Sequence, residues 1–185
     1  MPQLKISWSV ITASVTTSLG SYNWQIPNTP STTVKVKISD VLDATKYVES
    51  GVFKISNITV TSPTSANNWQ AGQTKQITWS AQSVDNVKIE YSTNSGTSWL
   101  TIIATMPASS GTYSWLIPST ASKMCIVKVS DVAFAEVKDT SNIFTISSFA
   151  INNPQVSNSW QVGQTKQITW NISNIDNVKL EIHKA

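Results

Sequence analysis

The sequence predicts an all-β protein, and features of its composition and patterning point to that class. Only 12% of its 185 residues are charged, whereas Ser, Thr, Asn and Gln are abundant beside Val, Ile and eight Trp. β-Branched and aromatic side chains favour the pleated, half-buried surface of a strand. Short alternating segments are separated by turns rich in Gly, Asn, Ser and Pro, and no helical period is seen.

The chain repeats itself with an offset of 91 residues, and no gap is needed to align the copies. We call two residues that are 91 positions apart counterparts. The clearest matching segments are 69–79 with 160–170, 85–88 with 176–179, and 22–27 with 113–118.

The phase of the repeat divides the chain into three parts. Residues 57–147, the middle unit, contain one complete repeat; residues 1–56, the N-flank, match only its second part; and residues 148–185, the C-flank, match only its first part. The middle unit has four Trp, and the flanks supply two each. The break falls in the segment 92–97, whose Asn, Ser and Gly are typical of a hairpin turn. The sequence therefore predicts one complete domain and two complementary half-domains.

Strand patterning in the middle unit is typical of an immunoglobulin or fibronectin-like β-sandwich. The cysteine pair of antibody domains is absent, and the single Cys125 alternates with Val127 and Val129, so we expect it to be buried. Lys88 and Glu90 are expected in solvent. The predicted strands are 58–62, 74–80, 87–91, 99–104, 113–117, 125–130 and 143–146.

A family resemblance rests on two strings of the middle unit. These are Ser-Pro-x5-Trp-Gln-x-Gly-Gln-Thr-Lys-Gln-Ile-Thr-Trp, and then Val-Asp-Asn-Val-Lys-Ile-Glu-Tyr-Ser-Thr-Asn-Ser-Gly-Thr-Ser-Trp. The chain resembles the immunoglobulin-like repeats of secreted bacterial surface proteins, and is similar to the fungal cell-wall domain called KNH-type. The resemblance implies an extracellular β-sandwich, in tandem arrays or as an accessory module, without catalytic residues. Both chain ends depart from the repeat, from which we expect natural termini; a fragment of a longer array is the alternative.

Each half-domain leaves apolar side chains without a partner sheet, at roughly 1.5–3 kcal/mol of unrealised burial for each large one. Completion in trans, by another copy, is expected because the junctions 56–57 and 147–148 have no spare residues for folding back past a domain. Such a head-to-tail contact makes an open chain of subunits; completion in cis is the alternative. The predicted completion residues are Trp8, Trp24, Val34, Val36, Ile38, Trp160, Ile168, Trp170, Val178 and Leu180.

Tryptophan also offers a different function, because an exposed indole can stack on a sugar ring. The pairs Trp69/Trp160 and Trp99/Trp8 are placed beside loops by the pattern. They are candidates for binding a cell-surface polysaccharide, as in a carbohydrate-binding or adhesion module of a larger secreted protein. The competing interpretation is that these rings pack over sheet edges.

Catalytic and metal chemistry are not predicted. The only histidine, His183, lies near the C-terminus, so no catalytic residue or cofactor is expected. Recurring acids such as Asp40 and its counterpart Asp131 suit turn caps. The chain has too few Cys and His for a zinc site, and calcium at Asp40 is a minor alternative.

The charge pattern bears on partners and location. The net charge of +3 rests on scattered lysines without any arginine, which argues against nucleic-acid binding. No stretch approaches the roughly 20 apolar residues of a membrane span, and residues 1–30 do not show a secretory signal pattern. The half-domains predict a structural subunit with itself as the main partner, and the resemblance to secreted surface repeats implies an extracellular filament or surface layer.

Overall fold

A computed structural model describes residues 7–183, and the protein is all-β over that range. No α-helix occurs among these residues; the helical turns are two 3₁₀ turns, Thr17–Leu19 and Ala108–Ser110. The chain forms two compact units, Met1–Ser56 and Asn57–Ala185.

The first unit contains two small antiparallel sheets of two strands each. The outer strands in sequence pair with each other, and the inner strands pair with each other. The strands are β1 (Ser31–Val34), β2 (Lys37–Ser39), β3 (Tyr47–Glu49) and β4 (Phe53–Ile55), with β1 pairing β4 and β2 pairing β3. Lys35 Nζ, between β1 and β2, lies 3.1 Å from Oε2 of Glu49, the last residue of β3.

The second unit contains the remaining ten strands. Most show alternating burial, as expected where one face of a strand is covered. In chain order they are β5 (Asn57–Ser62), β6 (Asn68–Gln70), β7 (Thr74–Gln82), β8 (Asn86–Ser92), β9 (Leu100–Pro107), β10 (Thr112–Leu116), β11 (Ser122–Asp131), β12 (Lys138–Thr140), β13 (Phe144–Asn153) and β14 (Thr169–Ser173).

Two sheets of the second unit supply a common core. One has the order β10-β7-β5, and the other has the order β14-β13-β11-β8-β9, with β12 added to β11 and β6 added to β13. All pairs are antiparallel except β6 with β13. Buried residues of both sheets form one apolar cluster. This arrangement is consistent with a β-sandwich.

Aromatic rings occupy the centre of that cluster. The ring of Trp69 lies 5.0 Å from that of Phe144 and 6.2 Å from that of Trp115, and Trp115 lies 4.9 Å from Tyr91. Trp79 is anchored by polar contacts, since its Nε1 donates a hydrogen bond to the Ala108 carbonyl at 3.0 Å. Large aromatic side chains of this kind dominate core energetics and fix the geometry around them.

The seven strands predicted for the middle unit are present, mostly with longer bounds, and two strands were not predicted. β6 and β12 have only three residues each, too few for an alternation pattern to identify. The predicted burial of Cys125 is confirmed. Asp40 and Asp131 cap turns as predicted, each accepting a hydrogen bond at 2.8 Å from the backbone N–H two residues on.

The expectation that Glu90 lies in solvent is wrong. Its carboxylate is largely buried between two lysines, with Lys88 Nζ at 2.6 Å and Lys128 Nζ at 2.9 Å. The predicted inward orientation of Val87 and Ile89 in β8 is confirmed, because both side chains are buried in the core. The lysine side chains lie across the outer face and cover the carboxylate there.

Strand registers recur at the repeat offset. The pairing of β1 with β4 has the same register as that of β11 with β13, and the pairing of β13 with β14 has the same register as that of β5 with β7. The matching Cα pairs are Ser31↔Ile55 with Ser122↔Ile146, Val34↔Phe53 with Cys125↔Phe144, Asn57↔Gln82 with Ser148↔Ser173, and Val60↔Trp79 with Ile151↔Trp170.

Candidate functional site: the exposed faces of the two flanks

Core residues of the middle unit have exposed counterparts in the flanks. Trp79 is 4% exposed and Trp170 is 39% exposed, although both occupy the same register position. Ile77 is fully buried, whereas Ile168 is 43% exposed. In the N-flank Ile38 is 70% exposed, while its counterpart Val129 is fully buried. Both flanks thus present apolar side chains at positions that form the core of the middle unit.

In the C-flank, β14 pairs with the second half of β13 and carries Trp170. Just after β14, Asn174 Nδ2 donates a hydrogen bond to the Ile146 carbonyl at 2.8 Å. Trp170, Ile172 and Val178 border an open groove on this part of the chain. Of the predicted completion residues here, Trp160, Ile168, Trp170 and Leu180 are exposed and Val178 is half-buried.

In the N-flank, the predicted completion residues lie on and before the two small sheets. Trp8 and Ile38 are exposed, and Trp24, Val34 and Val36 are half-buried. Lys37 Nζ lies 4.8 Å from the centre of the Trp8 ring, a cation–π contact. The apolar positions of this flank are therefore incompletely covered.

Strand content separates the flank segments into two groups. The C-flank holds the first part of the repeat and the N-flank holds the second part. Where two strands of the middle unit pair within one part, their counterparts in that flank are also strands, as in the pairs β1–β4 and β13–β14. Segments whose counterparts pair across the two parts are not strands: residues 9–16, 21–25 and 177–183 correspond to β9, β10 and β8. The backbone N–H and C=O groups of these segments are not paired in a strand ladder, and this condition favours the addition of another strand.

A preformed turn in the N-flank matches the turn that anchors the central tryptophan. In the middle unit the 3₁₀ turn Ala108–Ser110 ends at Gly111, with φ +64°, and the Gly111 carbonyl accepts a hydrogen bond from Trp79 N at 3.0 Å. The N-flank has the same turn at Thr17–Leu19, ending at Gly20 with φ +62°. Both left-handed positions are suited to glycine. This turn was not predicted from the sequence, although the recurrence of Gly20 and Gly111 was a signal for it.

The tryptophans proposed for sugar stacking occupy different environments. Trp69 is 6% exposed and packs in the core, which corrects the expectation that its ring lies open beside a loop. Trp99 is half-buried, with Lys128 Nζ 4.0 Å from its ring centre. Trp8 and Trp160 are exposed. Of the four proposed rings, these two are therefore the more exposed, although Lys37 Nζ lies 4.8 Å from the centre of the Trp8 ring.

The His, Cys, Asp and Glu side chains of the described residues do not gather into a group. No group of three His, Cys, Asp or Glu in residues 7–183 is arranged to hold a metal ion. Burial raises the pKa of the Cys125 thiol, which keeps it protonated and unreactive. Hydrogen bonds from the hydroxyl and backbone N–H of Thr45 hold the pKa of Asp43 below its ordinary value. Burial and local hydrogen bonds therefore account for both pKa shifts.

No protein-family model matches the chain, and neither does any curated protein. Among residues 7–183, no helix combines the length and the apolar character needed to cross a bilayer.

Proposed function

We propose that this protein is a structural subunit of an extracellular filament or surface layer, and that it polymerises head to tail. In this proposal the C-flank of one chain and the N-flank of the next form a complete immunoglobulin-like sandwich. The observation that carries the proposal is the exposure of Trp170, Ile168 and Ile38, whose counterparts are core residues. The extracellular location rests on the resemblance of the sequence to secreted surface repeats.

The two flanks are complementary in detail. The C-flank has the tryptophan, Trp170, and the N-flank has the turn that would receive it, Thr17–Leu19 with Gly20. By analogy with Trp79, the indole Nε1 of Trp170 would donate to the Thr17 carbonyl of the next chain, and its backbone N–H would donate to the Gly20 carbonyl. Because a buried indole N–H needs an acceptor, this match favours completion over nonspecific apolar contact.

The missing strands support the same assembly. Residues 21–25 would add to the edge of the C-flank sheet as β10 adds to β7, and residues 177–183 would insert beside β2 as β8 lies beside β11. Strand addition of this kind gives affinity through backbone hydrogen bonds and specificity through alternate side chains. The contact joins two different surfaces, so it propagates into an open chain.

A pair of blocked chains tests this proposal. Ile38→Asp places a carboxylate in the apolar face of the N-flank, and Ile168→Asp does the same in the C-flank; burying an unpaired carboxylate is strongly unfavourable. We expect the parent chain to form concentration-dependent oligomers, each variant alone to stay monomeric, and an equimolar mixture to form dimers only. Analytical ultracentrifugation measures the masses, and negative-stain images of the parent chain should show filaments.

Other results would reject head-to-tail completion. A parent chain that remains a compact monomer at all accessible concentrations would support completion in cis. Variants that dimerise alone would indicate a symmetric contact unrelated to the flanks. Thr61→Asp is a matched control, since it adds the same charge to an exposed position of the middle unit and should leave assembly unchanged.

Carbohydrate binding is the second candidate function, and the exposed rings of Trp8 and Trp160 favour it. The counterpart of Trp160 is the core residue Trp69, which favours a role in completion instead. A glycan array separates the two. Binding of a polysaccharide that is lost in Trp160→Ala while assembly persists would support an adhesion module.

A further inference from the structure

A charged cluster on the outer face of the middle unit joins two adjacent strands. Lys128 of β11 and Glu90 of β8 are directly opposite in the ladder, and Lys128 Nζ lies 2.9 Å from Glu90 Oε2. Lys88 Nζ lies 2.6 Å from the other carboxylate oxygen, and Lys128 Nζ also lies 4.0 Å from the centre of the Trp99 ring. The cluster thus consists of an indole, two lysines and one largely buried carboxylate.

All four members of this cluster have identical counterparts, divided between the flanks. Trp8 and Lys37 lie in the N-flank, and Lys179 and Glu181 lie in the C-flank. Each half of the cluster already has its own contact: Lys37 Nζ lies 4.8 Å from the Trp8 ring centre, and Lys179 forms an ion pair with Glu181. The contact that joins the two halves in the middle unit is Lys128 with Glu90.

We infer that Lys37 of one chain pairs with Glu181 of the next, and that this ion pair sets the strand register of the subunit contact. The inference rests on the proposed head-to-tail assembly and adds the residues that specify it. The partner is a second copy of this chain. Lys37 of the N-flank corresponds to Lys128, and Glu181 of the C-flank corresponds to Glu90, so each flank supplies the charged group that completes the half-cluster of the other.

Register needs such a determinant because the apolar pattern alone leaves it ambiguous. A slip by one residue turns every side chain to the other face and is excluded by burial, but a slip by two residues keeps the faces. In the inferred register Lys37 is opposite Glu181 and Ile38 is opposite Leu180, as Lys128 is opposite Glu90 and Val129 is opposite Ile89. A slip of two residues in one direction places Lys37 opposite Lys179, and like charges directly opposite are destabilising.

The neighbouring lysine does not compensate for that slip. The same shift would bring Lys35 opposite Glu181, but Lys35 Nζ is already 3.1 Å from Glu49 Oε2 within the N-flank. Glu49 is the Cα partner of Lys37 in the β2–β3 pair, but the Glu49 carboxylate contacts Lys35, and Lys37 Nζ lies over the Trp8 ring. The geometry of the N-flank therefore selects Lys37 as the partner of the incoming carboxylate.

Charge reversal in the full chain tests the pair. We expect Lys37→Glu and Glu181→Lys each to raise the concentration needed for assembly by about tenfold or more. The double variant should return to within about threefold of the parent chain, because the opposite charges are again paired. Lys123→Glu is the matched control, since it makes the same charge change at an exposed position of the middle unit and should leave assembly unaffected.

A covalent reporter separates failure of the pair from failure of the assembly. Ile38→Cys with Leu180→Cys places two thiols at the positions corresponding to Val129 and Ile89, which are Cα partners. Oxidation should give a ladder of disulfide-linked oligomers, and the ladder should be lost when Lys37→Glu is added. A ladder that persists unchanged, with no effect of either single reversal, would overturn the role of Lys37 and Glu181 while leaving head-to-tail assembly intact. A cross-linked monomer, or no association of the parent chain, would overturn the assembly itself.

Discussion

The flanks repeat much of the sequence pattern of the middle unit at a fixed offset, yet the burial of corresponding side chains differs. In the middle unit, β7 is covered on its inner face, and its central tryptophan has acceptors for both N–H groups. In the C-flank, the equivalent strand β14 has only β13 beside it, and the tryptophan is exposed. The comparison shows that alternation decides which side chains face inward, whereas burial depends on the strands that arrive from elsewhere in the repeat.

The largest expected difference concerns the two central tryptophans. Trp79→Ala removes a buried ring and the hydrogen bond to Ala108, so it should lower the free energy of unfolding by about 3–5 kcal/mol. Trp170→Ala, in a chain too dilute to associate, should cost less than about 1 kcal/mol because the ring is already exposed. Urea unfolding followed by far-UV circular dichroism measures both. Equal losses would mean that the flanks are packed as tightly as the middle unit.

Thiol labelling sharpens the comparison between Ile38 and the core. A cysteine at Ile38 should react readily in the dilute chain and at least about tenfold more slowly once the chain assembles, since burial raises a thiol pKa and excludes reagent. Cys125 is the internal control, because its burial protects it in both states. Labelling of I38C that is independent of protein concentration would contradict covering of this face by another chain.

The smallest expected effect is a pH dependence confined to the middle unit. Burial by itself would raise the pKa of Glu90, but hydrogen bonds from Lys88 and Lys128 and their positive charges outweigh it and hold the pKa below the ordinary value of 4.5. The unfolded chain then binds the proton more readily. The contribution of Glu90 to stability is therefore complete above about pH 4.5 and is lost as the pH falls through the folded-state pKa.

Glu90→Gln should accordingly flatten the decline of the unfolding free energy between about pH 5 and about pH 3. Urea titrations at several pH values measure this slope. Glu181→Gln is the matched control, and in the dilute chain it should leave the pH profile of the middle unit as in the parent. An unchanged slope in Glu90→Gln would assign the acid sensitivity to other carboxylates.

Much of the strand order could be predicted from the sequence, because apolar alternation and turn residues are local signals. The segments around Ile77, Ile89 and Val127 were identified on this basis and are core strands. β6 and β12 were missed because a three-residue strand is specified by its neighbours rather than by its own pattern. The burial of Glu90 was missed for a similar reason, since one of the two lysines that cover it, Lys128, lies on β11, far away in sequence.

The candidate site was predicted in part. Exposed completion residues such as Ile38 and Ile168 were named from the repeat phase alone, and their head-to-tail role remains a prediction. The sequence did not distinguish Trp69 from Trp160, because both have the same neighbours in the chain. Only the structure separates the core ring from the exposed one. The 3₁₀ turn that ends at Gly20 required backbone geometry to be recognised.

β13 gives the junction after the middle unit an unusual mechanical character. Its first residues, from Phe144, pair with β11 and β6, and its later residues, up to Asn153, pair with β14, without an intervening loop. A pulling force along the chain would therefore pass through one uninterrupted ribbon and load its hydrogen bonds in shear, many at once. A subunit joined in this way would transmit tension without a flexible hinge at this junction, and the stiffness would come from the continuous strand.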